Sequence, residues 1–434
     1  MNSIFIILGK LIILFSKTFN LGNGSTWPGH IALSINKNFI REIIKANPHL
    51  KIILIAGTNG KTTTGKLIQT ILEKNGKKVF QNQAGANLLN GIASTLALHS
   101  TVAGNINRDF AIFEIDENTL PLILEEINNP DFVIILNLFR DQLDRYGEVN
   151  IVAQKWQKAL NKLTTKTKLI LNADDPQIAS LRLHLEGESR RHVVFFGLDD
   201  KKLASKNHQH ASDSTYCPNC GCKLIYSTVY YSHLGNWKCL KCKNTRPKLD
   251  VSNSPLYPLH GVHNRYNTLA ALSLSKQLKI EERNIVAGLK NFKPAFGRQE
   301  ILNINGKRVQ IFLSKNPTGF NESLKTIFAL NAKNLLIVLN DRIPDGRDVS
   351  WIWDVDFEDF YSQFKNVVVS GDRTYDMGLR LKYAEFKKFE TEENLTKAIN
   401  IVIGKTPQNE TLYILPTYSA MLEARKILTG RKIL

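Results

Sequence analysis

The chain has 434 residues, 43% of them hydrophobic and 22% charged, with a formal net charge of +18 at pH 7. That length and apolar content give two or three domains with sizeable cores and exclude a disordered or fibrous polypeptide. The charge points to anionic partners: nucleic acid, an anionic membrane surface or a phosphate-rich substrate.

Ile4 to Phe15 is apolar apart from Gly9 and Lys10. A lysine interrupts the run, no small-x-small cleavage site follows, and the stretch is too short to span a bilayer. A buried or amphipathic helix is expected, and Lys10 and Lys17 suit loose peripheral contact with a membrane. A turn-rich stretch, Leu21 to Gly29, follows in a lead-in over residues 1–45.

A central domain is expected over 46–300. Lys51–Ala56, Phe110–Glu114, Phe132–Asn137, Lys168–Asn172 and His192–Phe196 are short apolar runs between helical patterns. Strands that are apolar throughout predict an α/β fold with a parallel sheet covered on both faces. The first strand runs into Gly57-Thr58-Asn59-Gly60-Lys61-Thr62-Thr63 and a helix from about Thr62 to Asn75. This is the context of a phosphate-binding loop. Backbone N–H groups surround phosphate oxygens of ATP, Lys61 reaches the β and γ phosphates, and the Thr62 hydroxyl ligates Mg²⁺. Ile55 stands where the general pattern has another glycine, so the loop is a shorter variant. Glu114, at the carboxyl end of a strand, is the candidate acid at the same Mg²⁺, with Asp116 as competitor.

Residues 199–215 are a polar linker into an insert over 206–250. There Cys217-x-x-Cys220 and Cys239-x-x-Cys242 are separated by eighteen residues, the spacing of a zinc ribbon. Four thiolates make a closed, structural Zn²⁺ site, and Cys222 is left over. Paired C-x-x-C cysteines suit a reducing compartment. A ribbon on a basic chain also suits nucleic acid. But it interrupts an ATP-site domain and has no run of basic and aromatic residues beside it, so no nucleic-acid partner is expected. After punctuation around Pro294 to Glu300, strands at Arg308–Leu313, Leu335–Asn340, Val367–Ser370 and Thr411–Leu415 predict a smaller α/β domain over 301–434.

The loop resembles the ATP loop of the Mur ligases and folylpolyglutamate synthases. Further segments support this: Asn137 to Asp144 with Tyr146-Gly147, Asn172-Ala-Asp-Asp-Pro176, Gly261 to Asn267, and Gly297-Arg298. The resemblance implies that Asp174 lies near the nucleotide and that Asn264 and Asn267 serve its adenine side. It implies that Arg298 closes the central domain over ATP. Lys155, or alternatively Lys158, stands near where many members carry a carbamylated lysine. The departures matter too. The UDP-substrate domain is expected to be missing, Gln142 replaces the family histidine, and Phe312 to Pro317 replaces Asp-x-Ala-His-x-Pro.

With these departures the chain resembles one branch of the family, the synthetase subunits of lipid II isoglutaminyl synthases. Gly24 to Ala32, Lys315 to Gly319, Asp345 to Asp354 and Leu415 to Glu423 look like that branch's signatures. The branch implies activation of the α-carboxylate of stem-peptide D-glutamate in lipid II as an acyl phosphate, then attack by ammonia. A class I glutaminase needs a cysteine paired with a histidine. The cysteines here read as ribbon ligands, so the nucleophile is expected on a partner, a glutaminase of the GatD type. The resemblance assigns Asp348 to orient that partner's histidine. A turn-capping role is the alternative, and Asp354 and Asp356 are weaker candidates. Trp351 and Trp353 suit either the interface or the core. The expected location is cytoplasmic, at the inner face of the membrane. A stand-alone amino-acid ligase and a nucleic-acid-binding ribbon ATPase remain as other readings.

Overall fold

The computed structural model describes residues 6–7, 9–10, 26–82, 86–141, 148–164, 166–185, 193–205 and 212–430. Most of the expected lead-in helix, together with Gln142, Tyr146 and Gly147, lies outside them. The turn-rich stretch gives way to helix at Trp27. The helix Trp27–Ile35 carries Pro28 in its first turn, where a missing N–H is tolerated. A second helix, Phe39–Ala46, follows, and its Phe39, Ile40 and Ile43 share one core with Ile52 and Leu54 of the first sheet.

That sheet contains β1 (Lys51–Ala56), β2 (Val79–Gln81), β3 (Phe110–Ile115), β4 (Phe132–Ile135), β5 (Lys168–Asn172) and β6 (Val193–Phe196). Its order is β2-β3-β1-β4-β5-β6, and every pairing is parallel. Ile52, Leu54 and Ala56 enter one core while Ile53 and Ile55 enter another. Both faces are therefore buried, which is why the strands carry no polar alternation. Helices Lys61–Lys74, Val262–Gln277 and Glu282–Lys290 supply one core, and helices Leu89–His99, Thr119–Glu126 and Val149–Leu160 the other. Because β1 lies between β3 and β4, the loop that follows it is flanked by the carboxyl ends of both.

The insert holds an antiparallel hairpin, β7 (Ile225–Tyr231) and β8 (Leu234–Lys238). The second sheet contains β9 (Arg298–Ile304), β10 (Lys307–Phe312), β11 (Asn334–Val338), β12 (Asn366–Ser370), β13 (Glu390–Thr391) and β14 (Thr411–Pro416). Its order is β13-β12-β11-β14-β10-β9, parallel except for β9 against β10. The stretch read as punctuation near Glu300 is thus the start of an edge strand. Among the described residues, no helix is long and apolar enough to cross a membrane.

The helix behind the loop is held by a close crossing. A Cβ at Gly288 would lie 2.7 Å from Ile71 Cα. Gly288→Ala therefore overpacks this contact and should cost about 1–3 kcal/mol, read as a lower midpoint in urea unfolding. An unchanged midpoint would show that the helix Glu282–Lys290 shifts without penalty.

Candidate active site

The loop after β1 turns through two glycines of positive φ, Gly57 at 139° and Gly60 at 93°. The positive φ at Gly60 favours glycine, and a Cβ there would also stand 2.1 Å from Asn267 Oδ1 and displace that amide. Gly60 also begins the helix Lys61–Lys74, whose first N–H groups have no side-chain cap. Such a terminus suits an anion. Asn137 supports the loop from the end of β4: its Oδ1 accepts from Asn59 N at 2.8 Å and its Nδ2 donates to Asn59 O at 3.0 Å.

Lys61 Nζ donates to Gly57 O and to Thr58 O, and lies 3.5 Å from Glu117 Oε2. Thr62 Oγ1 donates to Glu114 Oε2 at 2.8 Å. Burial pushes the Glu114 carboxyl above the usual range, against the Thr62 hydrogen bond and the charges of Arg298 and Lys61. Burial likewise raises Glu117, opposed by Lys61 and Lys315. A hydroxyl and a carboxylate at the mouth of a phosphate loop are the oxygen donors Mg²⁺ takes. Asp116 is directed elsewhere, accepting from Asn118 N at 3.1 Å. Glu117, which sequence reasoning missed, joins Lys61 because the chain turns immediately after β3.

A cavity beside the loop is walled by Asn59, His263, Asn264, Asn267 and Arg298. Asn264 donates to His260 O at 2.7 Å and accepts from Asn267 at 3.1 Å. Burial lowers the Arg298 guanidinium, and Glu114 opposes the shift. Burial, then the charge of Arg298, pushes His263 down to about 4. Asp174 and Lys155 stand apart from both the loop and this cavity. Asp174 is wholly buried behind it, accepting from Arg246 Nε at 2.6 Å, Tyr266 OH at 2.6 Å and Leu198 N at 2.9 Å. Burial raises its carboxyl to about 6, against Arg246 and Tyr266. Its oxygens are taken by protein donors, so it buttresses Tyr266 instead of facing the cavity. Lys155 is exposed on its helix, 3.4 Å from Asn118 Oδ1, and Lys158 is exposed as well.

The second sheet's unit meets the loop directly. Asn316 Nδ2 donates to Asn59 Oδ1 at 3.1 Å, and Asn316 Oδ1 caps Gly319 N at 2.8 Å in the helix Pro317–Ala329. Lys315 Nζ pairs with Asp141 Oδ2 at 2.5 Å. Burial works against the Lys315 ammonium, but Asp141 and Glu117 hold its pKa above the ordinary value. Asp348 is exposed, and its Oδ1 accepts from Ser350 N at 2.8 Å. Asp354 lies 3.5 Å from Arg140, and Asp356 is buried against Asn321 at 3.1 Å. Trp351 packs on Phe320, whereas Trp353 is 48% exposed.

Three comparisons bear on this geometry. The Mur ligase middle domain model matches residues 55–275, and the MurT ligase C-terminal model matches residues 313–421. The lipid II isoglutaminyl synthase (glutamine-hydrolyzing) subunit MurT of Staphylococcus aureus is 34% identical over 381 residues, covering 83% of each chain. The chain belongs to the MurT family. The MurT subunit of Streptococcus pneumoniae is 33% identical over 438 residues, covering 95% of this chain and 94% of its own. The pseudomurein peptide ligase type C of Methanothermus fervidus has the same fold, with a TM-score of 0.65, 22% identity, and coverage of 90% and 81%. So does the folylpolyglutamate synthase of Mycobacterium tuberculosis, solved with ADP and AMPPCP, at a TM-score of 0.60, 15% identity, and coverage of 98% and 99%.

In this MurT-family chain the cysteines converge. Cys217, Cys220, Cys239 and Cys242 place their sulfurs within 4.8 Å of one another, with Cys217–Cys242 at 3.5 Å and Cys220–Cys239 at 3.4 Å. These spacings fit tetrahedral Zn²⁺ with Zn–S bonds of about 2.3 Å. Cys222 is not one of the four. The hairpin between the two cysteine pairs braces the nucleotide side of the molecule. Trp237 Nε1 donates to Ala173 O at 3.0 Å, and Tyr231 reaches the cavity wall against Tyr266, with ring centroids 5.5 Å apart.

Two outcomes follow from these placements. His263 titrates near 4 when folded and near 6.5 when unfolded, so the unfolded chain binds more protons between those values. Stability held above pH 6.5 is then lost as pH falls toward 4. His263 is partly exposed, so its share is on the order of 1 kcal/mol. His263→Gln should therefore lose less melting temperature than wild type between pH 7 and pH 5, and equal losses would remove His263 as the source. Zn²⁺ held by the four sulfurs would make chelation, or Cys220→Ser, lower the melting temperature by several degrees. An unchanged melting temperature after complete metal removal would reject a structural role for the cluster.

Proposed function

We propose that this chain is the ATP-using synthetase subunit of a lipid II isoglutaminyl synthase. It phosphorylates the α-carboxylate of stem-peptide D-glutamate in lipid II, and ammonia from a GatD-type glutaminase converts the acyl phosphate to the amide of D-isoglutamine. The observation that carries this reading is the meeting of the phosphate loop with the Asp348 side of the second unit, across Asp141–Lys315 and Asn59–Asn316. The names of the relatives support it.

A carboxylate is a poor electrophile because it is anionic. Accepting the γ-phosphoryl group gives it a leaving group. Lys61 and the uncapped start of its helix hold the negative charge of the transferring group in place. Thr62 and Glu114 would hold Mg²⁺, which neutralises phosphate charge. Asn264, Asn267 and Arg298 orient the nucleotide, with Arg298 spanning the two units. Free ammonia is scarce at neutral pH, and four of the five cysteines form the ribbon cluster. The thiol that opens glutamine therefore belongs to the partner. Asp348 is solvent-facing, able to orient the partner's histidine as a third triad member does. The chain works on the cytoplasmic side, in loose contact with the membrane that holds lipid II.

Co-expressed with its glutaminase and given ATP, Mg²⁺ and glutamine, the chain should shift lipid II by the mass of one carboxyl-to-amide exchange. No shift would sink the reading, and a gain of a whole amino-acid residue would identify ligation instead. Asp348→Asn should cut glutamine-driven amidation by about 10²–10⁴ while ammonium-driven amidation continues. Full glutamine-driven activity in that variant would reject the triad role.

A further inference from the structure

Between Asp348 and the phosphate loop lies a second cavity of about 160 Å³. Four carboxylates line it, Asp141, Asp345, Asp348 and Asp354, against the cations Arg140 and Lys315. Three of the acids are engaged by neighbours. Asp345 accepts from Ser419 N at 2.7 Å and Ser419 Oγ, Asp348 from Ser350 N at 2.8 Å, and Asp354 faces Arg140 at 3.5 Å. Asp141 differs. Its side chain is only 3% exposed, and Lys315 takes its Oδ2. Its Oδ1 is buried and has no hydrogen-bond partner among the described residues. A buried carboxylate oxygen without a donor is costly, so the position calls for a guest that brings N–H or O–H groups. Lys315, 2.5 Å from the other oxygen, disfavours a divalent metal there. One of its lining residues also reaches the loop. Asn316, next to Lys315, touches Asn59 at 3.1 Å.

We propose that this cavity receives ammonia on its way from the partner, and that Asp141 Oδ1 is the acceptor that positions it and takes its proton during attack. This rests on the amidation reading above. The nitrogen lone pair forms a bond to the acyl carbon. The bond from that carbon to the phosphate oxygen breaks, and its electron pair leaves with inorganic phosphate. The nitrogen, cationic once bonded, gives one proton to Asp141 and a neutral amide remains. Lys315 holds Oδ2, which leaves Oδ1 as the oxygen that takes the proton. The acidic lining repels glutamate, the other product of glutamine hydrolysis.

The test uses the full chain in complex with its glutaminase, comparing wild type with the near-isosteric Asp141→Asn. Three quantities are read: amidation on saturating ammonium chloride, ATP dissociation constant, and lipid II-driven positional isotope exchange in ATP, which reports acyl phosphate formation. In the variant, amidation from either nitrogen source should fall on the order of 10²–10⁴. ATP affinity and isotope exchange should fall far less than amidation, because the variant also gives up the Asp141–Lys315 ion pair. Wild-type amidation on ammonium by Asp141→Asn would overturn the proposal. So would loss of isotope exchange together with amidation, which would place Asp141 in the first step or in the fold. A wild-type complex that amidates lipid II from neither source would reject the amidation reading itself.

Discussion

The left-handed turn at Gly60, pressed against Asn267, is the contact from which the site is built. It ends β1, starts the helix Lys61–Lys74 with its N–H groups uncapped, and draws the helix Val262–Gln277 to the loop's flank. A side chain at this position would strain the turn and push the Asn267 amide out of the cavity wall. The sheet order then does the rest. With β3 on one side and β4 on the other, Glu114 reaches Thr62 and Asn137 grips Asn59 without any loop of special length.

Burial makes this junction electrostatically tense. Glu114 and Glu117 are both raised by desolvation, and Lys61, Arg298 and Lys315 restrain them. These charges come from both sheet units: Lys61 follows β1, Glu114 ends β3 and Glu117 follows it, while Arg298 begins β9 and Lys315 follows β10. Each unit leaves buried charge that the other compensates, and isolated buried charge is far costlier than a paired one. That mutual requirement explains why Asp141–Lys315 and Asn59–Asn316 bridge the units at the place where phosphate chemistry needs both.

Much of this was legible from spacing alone. Strand, glycine loop and helix fall within one short segment, and the four cysteines announce their cluster by their pairs, because both signals are local. Side-chain direction is not local. Asp174 sits in the expected turn, yet Arg246 and Tyr266, far along the chain, claim its carboxylate. Lys155 lies on the expected helix but faces solvent. Glu117 and Tyr231 matter through partners that only the fold supplies, and nothing in their own neighbourhood marks them. The edge strand β9 was hidden by its polar start, Arg298-Gln299-Glu300. The change from the Mur histidine to Lys315 was visible in sequence, but its pairing with Asp141 was not.

The central claim is that ATP activates a carboxylate as an acyl phosphate. Lipid II carrying ¹⁸O in the α-carboxylate of its D-glutamate tests this most directly, with the assembled complex turning over in unlabelled water. The account predicts that ¹⁸O from that carboxylate appears in the released inorganic phosphate, one atom for each amide formed. Amide formation with no ¹⁸O in the phosphate would contradict it.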